Sequence, residues 1–179
     1  MPEIDEFARS LLEEAKRFLE RASEAEDAHE AEAYLHSALM LAFCALEAHV
    51  NAVAEEVATR SEVSMHERGF LLEREVRLEH GEFVLRNKLK MTSIEERIHF
   101  LHVKFGHPLD HSKPHWSRLA DALILRNRLT HPKDVIEITE EEVGRAILAI
   151  IETIDALYQA IYNKAFPATS RGLQSTLSF

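Results

Sequence analysis

Glycine and proline are scarce in this chain, with five of each in 179 residues. Few positions therefore break a helix, and long helices can run uninterrupted. Cysteine is scarcer still: the single Cys44 excludes an intrachain disulfide. Set within the apolar run from Ala38 to Leu46, it reads as a small buried hydrophobe, and a reducing cytoplasm is its expected setting. That run is the longest apolar one and falls short of the ~20 residues that cross a bilayer, so no membrane span is expected. The start is acidic (Glu3, Asp5, Glu6), unlike the basic opening of a secretory signal. Nor is there a glycine-rich phosphate cradle, an HExxH pair or a nucleophile elbow. P-loop, Rossmann, zinc-protease and α/β-hydrolase sites are thereby set aside.

What the chain does contain is helical periodicity. A first helix is expected from about Ile4 to Ala25, with Phe7, Leu11, Phe18 and Ala22 near one face. A second, from about Ala28 to Thr59, is apolar on nearly all sides from Leu35 to Asn51. Such a helix is buried by several neighbours, so it belongs at the centre of a bundle. Residues 60–92 form an irregular insertion. A short helix from Met65 to Arg74 is expected there, and the alternation from Val76 to Leu85 fits a small hairpin turning at Gly81; an irregular segment fits as well. Ser93 with Glu96 predicts a capping box opening a helix to about Phe105, stopped by Gly106-His107-Pro108. A fourth main helix spans about His115 to Thr130 and ends before Pro132. Thr139 with Glu142 opens the last, to about Asn163, with Val143, Ile147, Ile150, Ile154 and Leu157 in its stripe. The expected fold is all-α: an antiparallel bundle of four to five main helices in one domain, 1–166. Residues 167–179, polar and without periodicity, are expected as a flexible tail.

Charge is unevenly spread. Residues 1–62 carry the whole net charge of −10, whereas 83–133 hold ten bases against four acids. The global balance disfavours indiscriminate duplex binding; the local basic zone permits an anionic ligand.

Eleven histidines are present, five of them crowded into one region: His99, His102, His107, His111 and His115. Imidazole binds transition metals, but most of these lie in a loop without fixed geometry, so no metal site is expected. Glu26-x-x-His29 and Glu96-x-x-His99 have the spacing of a di-iron bundle. The first falls at a helix junction, where it could not project into a core, and no metal cofactor is expected from either.

One segment stands apart: Arg126-Asn127-Arg128-Leu129-Thr130-His131. The Arg–His spacing alone says little, since Arg97 and His102 share it. The setting says more. Positions 119, 123, 126 and 130 fall on one helical stripe, so Arg126 stands where a core leucine is expected, and a charge there is costly unless compensated. Asn127 and His131, four apart, share a face at the helix end. A neutral His can take a proton from a ribose 2′-hydroxyl, an Arg fork can hold a phosphate and stabilise charge growing on it, and Asn can fix either. The competing arrangement is structural: Glu47 or another core acid pairs Arg126, and His131 caps the helix C-terminus.

These residues resemble the HEPN family (higher eukaryotes and prokaryotes nucleotide-binding domains). The resemblance rests on Leu125 to Pro132, including Asn127 directly after the Arg, and on Ala45-Leu46-Glu47-Ala48-His49-Val50-Asn51 in the second helix; by layout it extends over roughly residues 30–163. It implies a bundle of four or five helices and metal-independent endonucleolytic cleavage of RNA, leaving a 2′,3′-cyclic phosphate and a 5′-hydroxyl. Arg126 would stabilise the phosphorane, His131 would act as base or acid, and Asn127 would orient the site. Glu47, Asn51 and Thr130 would support it, and Arg128, Lys133 and Arg118 would be the nearby cations for RNA. The resemblance also implies a homodimer with two Arg–His pairs facing one cleft, and a toxin of a toxin–antitoxin or defence pair, with an antitoxin protein as partner. Many members are inactive, so a non-catalytic helical dimer binding a nucleotide or a protein is the alternative.

Overall fold

The computed structural model describes residues 2–106 and 113–179, with side chains from residue 6 onward in those ranges. The described chain is mostly helical: α1 (Pro2–Ser23), α2 (Ala28–Val57), α3 (Met65–Leu71), α4 (Ile94–Phe105), α5 (Pro114–Thr130) and α6 (Glu140–Tyr162), with one hairpin, β1 (Arg74–Glu79) and β2 (Glu82–Leu89), between α3 and α4.

α2 begins where Asp27 accepts hydrogen bonds from the backbone N–H groups of His29 and Glu30, satisfying donors that the first turn leaves unpaired. It packs along α1 for most of its length and also meets α3, α4, α5 and α6. Leu39, Leu46 and Val50 are wholly buried in one core cluster with Leu12, Ile98, Ile147 and Ile150; each such side chain contributes ~1.5–3 kcal/mol by leaving water. By length and composition α2 could cross a membrane, although its longest unbroken apolar run did not suggest it. Here that apolar character serves the core.

The burial of α2 is not complete. Ala33, Ser37, Met40, Cys44 and Ala48 follow one stripe that its neighbours leave half or wholly open. Cys44 is therefore exposed, a correction to its expected burial. Apolar residues on every side did not mean protein on every side.

α3 opens on a capping box between Ser64 and Glu67 and ends three residues earlier than expected. Glu73 then turns the chain in the left-handed region (φ 51°). The hairpin is longer than its alternating core, because β1 and β2 pair antiparallel from Glu79↔Glu82 out to Arg74↔Leu89, with an irregularity between Arg74 and Val76. His80 and Gly81 both have positive φ, the geometry of a two-residue turn matched to strand twist. The hairpin lies against α3, where Gly69 is buried. A Cβ at that glycine would stand 2.4 Å from a Val76 methyl and 2.9 Å from the Arg74 carbonyl oxygen.

Ser93 is the N-cap residue of α4, but its side chain makes no capping hydrogen bond, so the capping box expected with Glu96 is not formed. The chain is held one residue earlier, where the Thr92 N–H donates to the Glu73 carboxylate at 2.8 Å. At α6 the Thr139–Glu142 capping box is present as expected. α5 starts on Pro114 and ends at Thr130, with His131 as its C-cap.

The last segment, expected as a loose tail, lies along α1. Lys16, wholly buried, donates to Glu13 and to the Gln174 carbonyl. Glu13 also accepts from Arg171 and from the Thr176 N–H, and Glu20 accepts from the Ser175 N–H. Phe166 is buried and packs edge-on against His49 and Tyr158. Polar residues without periodicity did not signal a segment held by buried charges on another helix.

Candidate functional site

α5 presents its residues to two sides. Leu119, Ala122, Leu123 and Leu125 are buried; Ala120, Ile124, Asn127, Arg128 and His131 are exposed. The exposed side forms a groove of ≈ 660 Å³ lined by Ile124, Asn127, Arg128, His131, Lys133, Asp134 and Ile136. The sharing of one face by Asn127 and His131 thus matches the geometry, with Arg128 and Lys133 beside them. The backbone N–H of His131 closes the helix on the Asn127 carbonyl at 2.9 Å, and the Thr130 hydroxyl donates to the Arg126 carbonyl at 3.1 Å. Thr130 therefore secures the last turn and leaves the groove to its neighbours.

Arg126 is not among the residues lining that groove. It lies five positions before His131, about 140° around a helix. Its guanidinium instead lies over the ring of Phe43 on α2, 5.1 Å from the centroid. The stripe that was to bury it tapers: Leu119 and Leu123 are buried, Arg126 is half-buried and Thr130 is exposed. Its Nε is buried without a hydrogen-bond partner, and no carboxylate among the described residues pairs with it within 4 Å. Within one protomer, then, Arg126 and His131 open on different sides of α5.

The acid expected to hold Arg126 is held elsewhere. Arg97 of α4 is only 1% exposed and reaches the same face of α2. Its Nη2 donates to Asn51 Oδ1 at 2.6 Å, and its Nη1 lies 3.2 Å from Glu73 and 3.8 Å from Glu47. Asn51 and Glu47 thus serve Arg97, which corrects their assignment to Arg126. Burial pushes the Glu47 carboxyl above its ordinary pKa; the positive charges of Arg97 and Arg126 pull it back down, while Glu73 adds to the rise. Arg126 is near enough to be felt by Glu47 without pairing with it. Arg97 could have been found by the argument applied to Arg126. It stands with Ile94 three positions before it and Leu101 four after, both buried.

Arg118 is committed, its guanidinium donating to Glu152 at 2.8 Å and to the Pro114 carbonyl. It shares a second groove, of ≈ 520 Å³, with Asp121, Arg128, Glu142 and Arg145. Acids line that groove alongside the bases, so it is not a uniform anion path.

Of the five crowded histidines, His107 and His111 lie outside the described residues. His102 and His115 are buried and His99 is exposed; burial holds the His115 imidazole below its ordinary pKa, opposed by Glu152. Among the described residues no group of three His, Cys, Asp or Glu side chains could hold a metal ion. Glu26, His29, Glu96 and His99 are all exposed, so neither Glu-x-x-His pair faces the bundle interior.

No protein family matches this chain, and neither does any curated protein or any solved structure.

Proposed function

We propose that this protein is a HEPN-type, metal-independent endoribonuclease, with Arg126 as the phosphate-holding cation and His131 as the proton-transfer group. The observation that carries the reading is the state of Arg126. It is a half-buried guanidinium over an aromatic ring, with a buried unpartnered Nε and no carboxylate paired to it. A cation withdrawn from water and left without a counter-ion is unfavourable in itself, and a bound phosphate would supply the missing charge and hydrogen bonds. The structural alternative, Arg126 satisfied by Glu47, is not formed: Glu47 lies 3.8 Å from Arg97 and makes no ion pair with Arg126 within 4 Å.

Because Arg126 and His131 open on different sides of α5, the working site requires a second copy of the chain, placing one protomer's His131 groove near the other's Arg126. An isologous dimer along α5 is the simplest such arrangement. Ile124, 60% exposed, offers it apolar surface. A toxin or defence role, restrained by an antitoxin protein, accords with such an activity.

The test is cleavage of a mixed-sequence single-stranded RNA. Wild-type protein is expected to cut it equally well in EDTA, leaving 2′,3′-cyclic phosphate ends. Arg126→Ala should lose on the order of 100-fold or more of the rate, and His131→Ala a comparable or greater share, both with unchanged thermal midpoints. Cleavage that survives both substitutions overturns the reading. The divergence of the two side chains also favours a second reading, a non-catalytic dimer that binds a nucleotide. It predicts binding that Arg126→Ala removes, and no cleavage by wild type.

A further inference from the structure

Two cations and two anions meet where α2, α4 and α5 converge: Arg97 and Arg126, Glu47 and Glu73. Their formal charges cancel, but their geometry does not share them equally. Both carboxylates lie within 4 Å of Arg97 as ion pairs, and the Asn51 amide oxygen accepts its hydrogen bond at 2.6 Å. Arg126 has an aromatic ring and no paired carboxylate. We infer that Arg97 is a positioning residue: it draws Glu47 and Glu73 to itself and so keeps the Arg126 guanidinium unoccupied for an anionic ligand. This rests on the reading of Arg126 as the phosphate-holding cation, and goes beyond it by naming what keeps that cation available.

The anchoring of the pieces supports a fixed arrangement. Glu73 stands in the left-handed region, its carboxylate accepting the Thr92 N–H and its carbonyl accepting the Lys90 N–H at 2.7 Å. A non-glycine residue held in that conformation is over-determined by its surroundings. Asn51 is one turn beyond Glu47 on α2, so both face Arg97 together. Glu47 is the movable member. Its side chain is 44% exposed, against 19% for Glu73, and it already feels the charge of Arg126. Were Arg97 neutral, Arg126 would be the remaining cation within its reach. An acid that closes on Arg126 competes directly with phosphate for the same donors.

The experiment measures binding of a fluorescently labelled single-stranded RNA in a His131→Ala background, so that cleavage does not intervene. Arg97→Met, close in volume, should weaken binding roughly tenfold, the scale for losing one charge-assisted contact. Adding Glu47→Gln should restore binding to within about threefold of the parent, because the competing carboxylate is gone. Arg97→Lys should retain most of the affinity. A purely structural role for Arg97 predicts instead that binding follows the thermal midpoint through all three variants, with no specific rescue by Glu47→Gln. Glu47→Gln alone, with Arg97 intact, decides the matter even if Arg97→Met does not fold. RNA binding within about threefold of the parent supports the inference, because Arg97 already keeps that carboxylate from Arg126, and a larger change in either direction overturns it. Arg126→Ala in the same background separates the two levels: if RNA binding is indifferent to Arg126, the site reading itself fails. If it depends on Arg126 but not on Arg97 or Glu47, only the positioning role fails.

Discussion

At the scale of single residues, burial and pairing decide what each unusual side chain can do. His49 shows the structural extreme. It is wholly buried on α2, within 3.3 Å of the Tyr158 hydroxyl, and desolvation lowers its pKa from 6.5 to about 4. The neutral ring is the folded form, so this contribution to stability is complete above about pH 6.5 and is lost as pH falls toward 4. The thermal midpoint is expected to drop across that interval, and His49→Gln should flatten that part of the profile. A slope unaltered by the substitution would show that other groups carry it. Cys44 is the opposite case. Exposed on the open stripe of α2, it should react with a chromogenic disulfide reagent in the native state at a rate near that of a free thiol. Reaction only after denaturation would mean that the stripe is covered in solution.

The residue scale is also where the sequence was both informative and incomplete. The segment ending at His131 was legible because a charge at a core-facing helical position is rare. Asn127 and His131 do share a groove. Arg97 has the same core-facing setting, with Ile94 and Leu101 buried one turn to either side, but its spacing to His102 does not distinguish it. Which carboxylate belongs to which arginine was not legible. Glu47, Asn51, Glu73, Arg97 and Arg126 come from four segments of chain, and only the packing of α2 against α4 and α5 settles their partners.

At the scale of elements, periodicity placed the long helices well because their apolar stripes are long and few glycines or prolines interrupt them. The shorter features depended on contacts between elements. The hairpin rests on α3 through Gly69, where a Cβ would collide with Val76 and with backbone. Gly69→Ala should destabilise that junction by ~1–3 kcal/mol and speed amide exchange across β1 and β2 while α1 and α2 stay protected. Equal protection in both proteins would contradict the close packing. The C-terminal segment depends on Glu13. Burial raises the pKa of this carboxyl, but hydrogen bonds from Lys16, Arg171 and the Thr176 N–H outweigh that and lower it from 4.5 to about 2. The sign follows directly: the contact is fully stabilising above about pH 4.5 and is lost as pH falls toward 2. Proteolysis by an acid-active protease should therefore release the C-terminal segment progressively below pH 4.5, while Glu13→Gln should expose it already at pH 6. A segment equally protected in the variant would show that Glu13 does not hold it.

At the scale of the molecule, acidic α1 and the first part of α2 stand apart from the basic stretch that contains α4 and α5. This separation leaves one region able to accept an anion on a protein whose overall charge repels one. The proposed RNA binding would accordingly be sensitive to salt, since phosphate contacts release condensed counter-ions. The proposed cleavage needs the unoccupied cation of that region at Arg126 and the proton-transfer group at His131, joined by a second protomer. The most direct measurement follows the side-chain Nε–H resonances of the arginines in protein labelled with ¹⁵N-arginine, as a short RNA carrying 2′-deoxy substitutions against cleavage is added. The Arg126 resonance should shift and gain protection from exchange, and Arg97, only 1% exposed and ion-paired through Nη1, should change little. A titration in which Arg126 stays unmoved while Arg118, Arg128 or Arg145 respond would contradict the account.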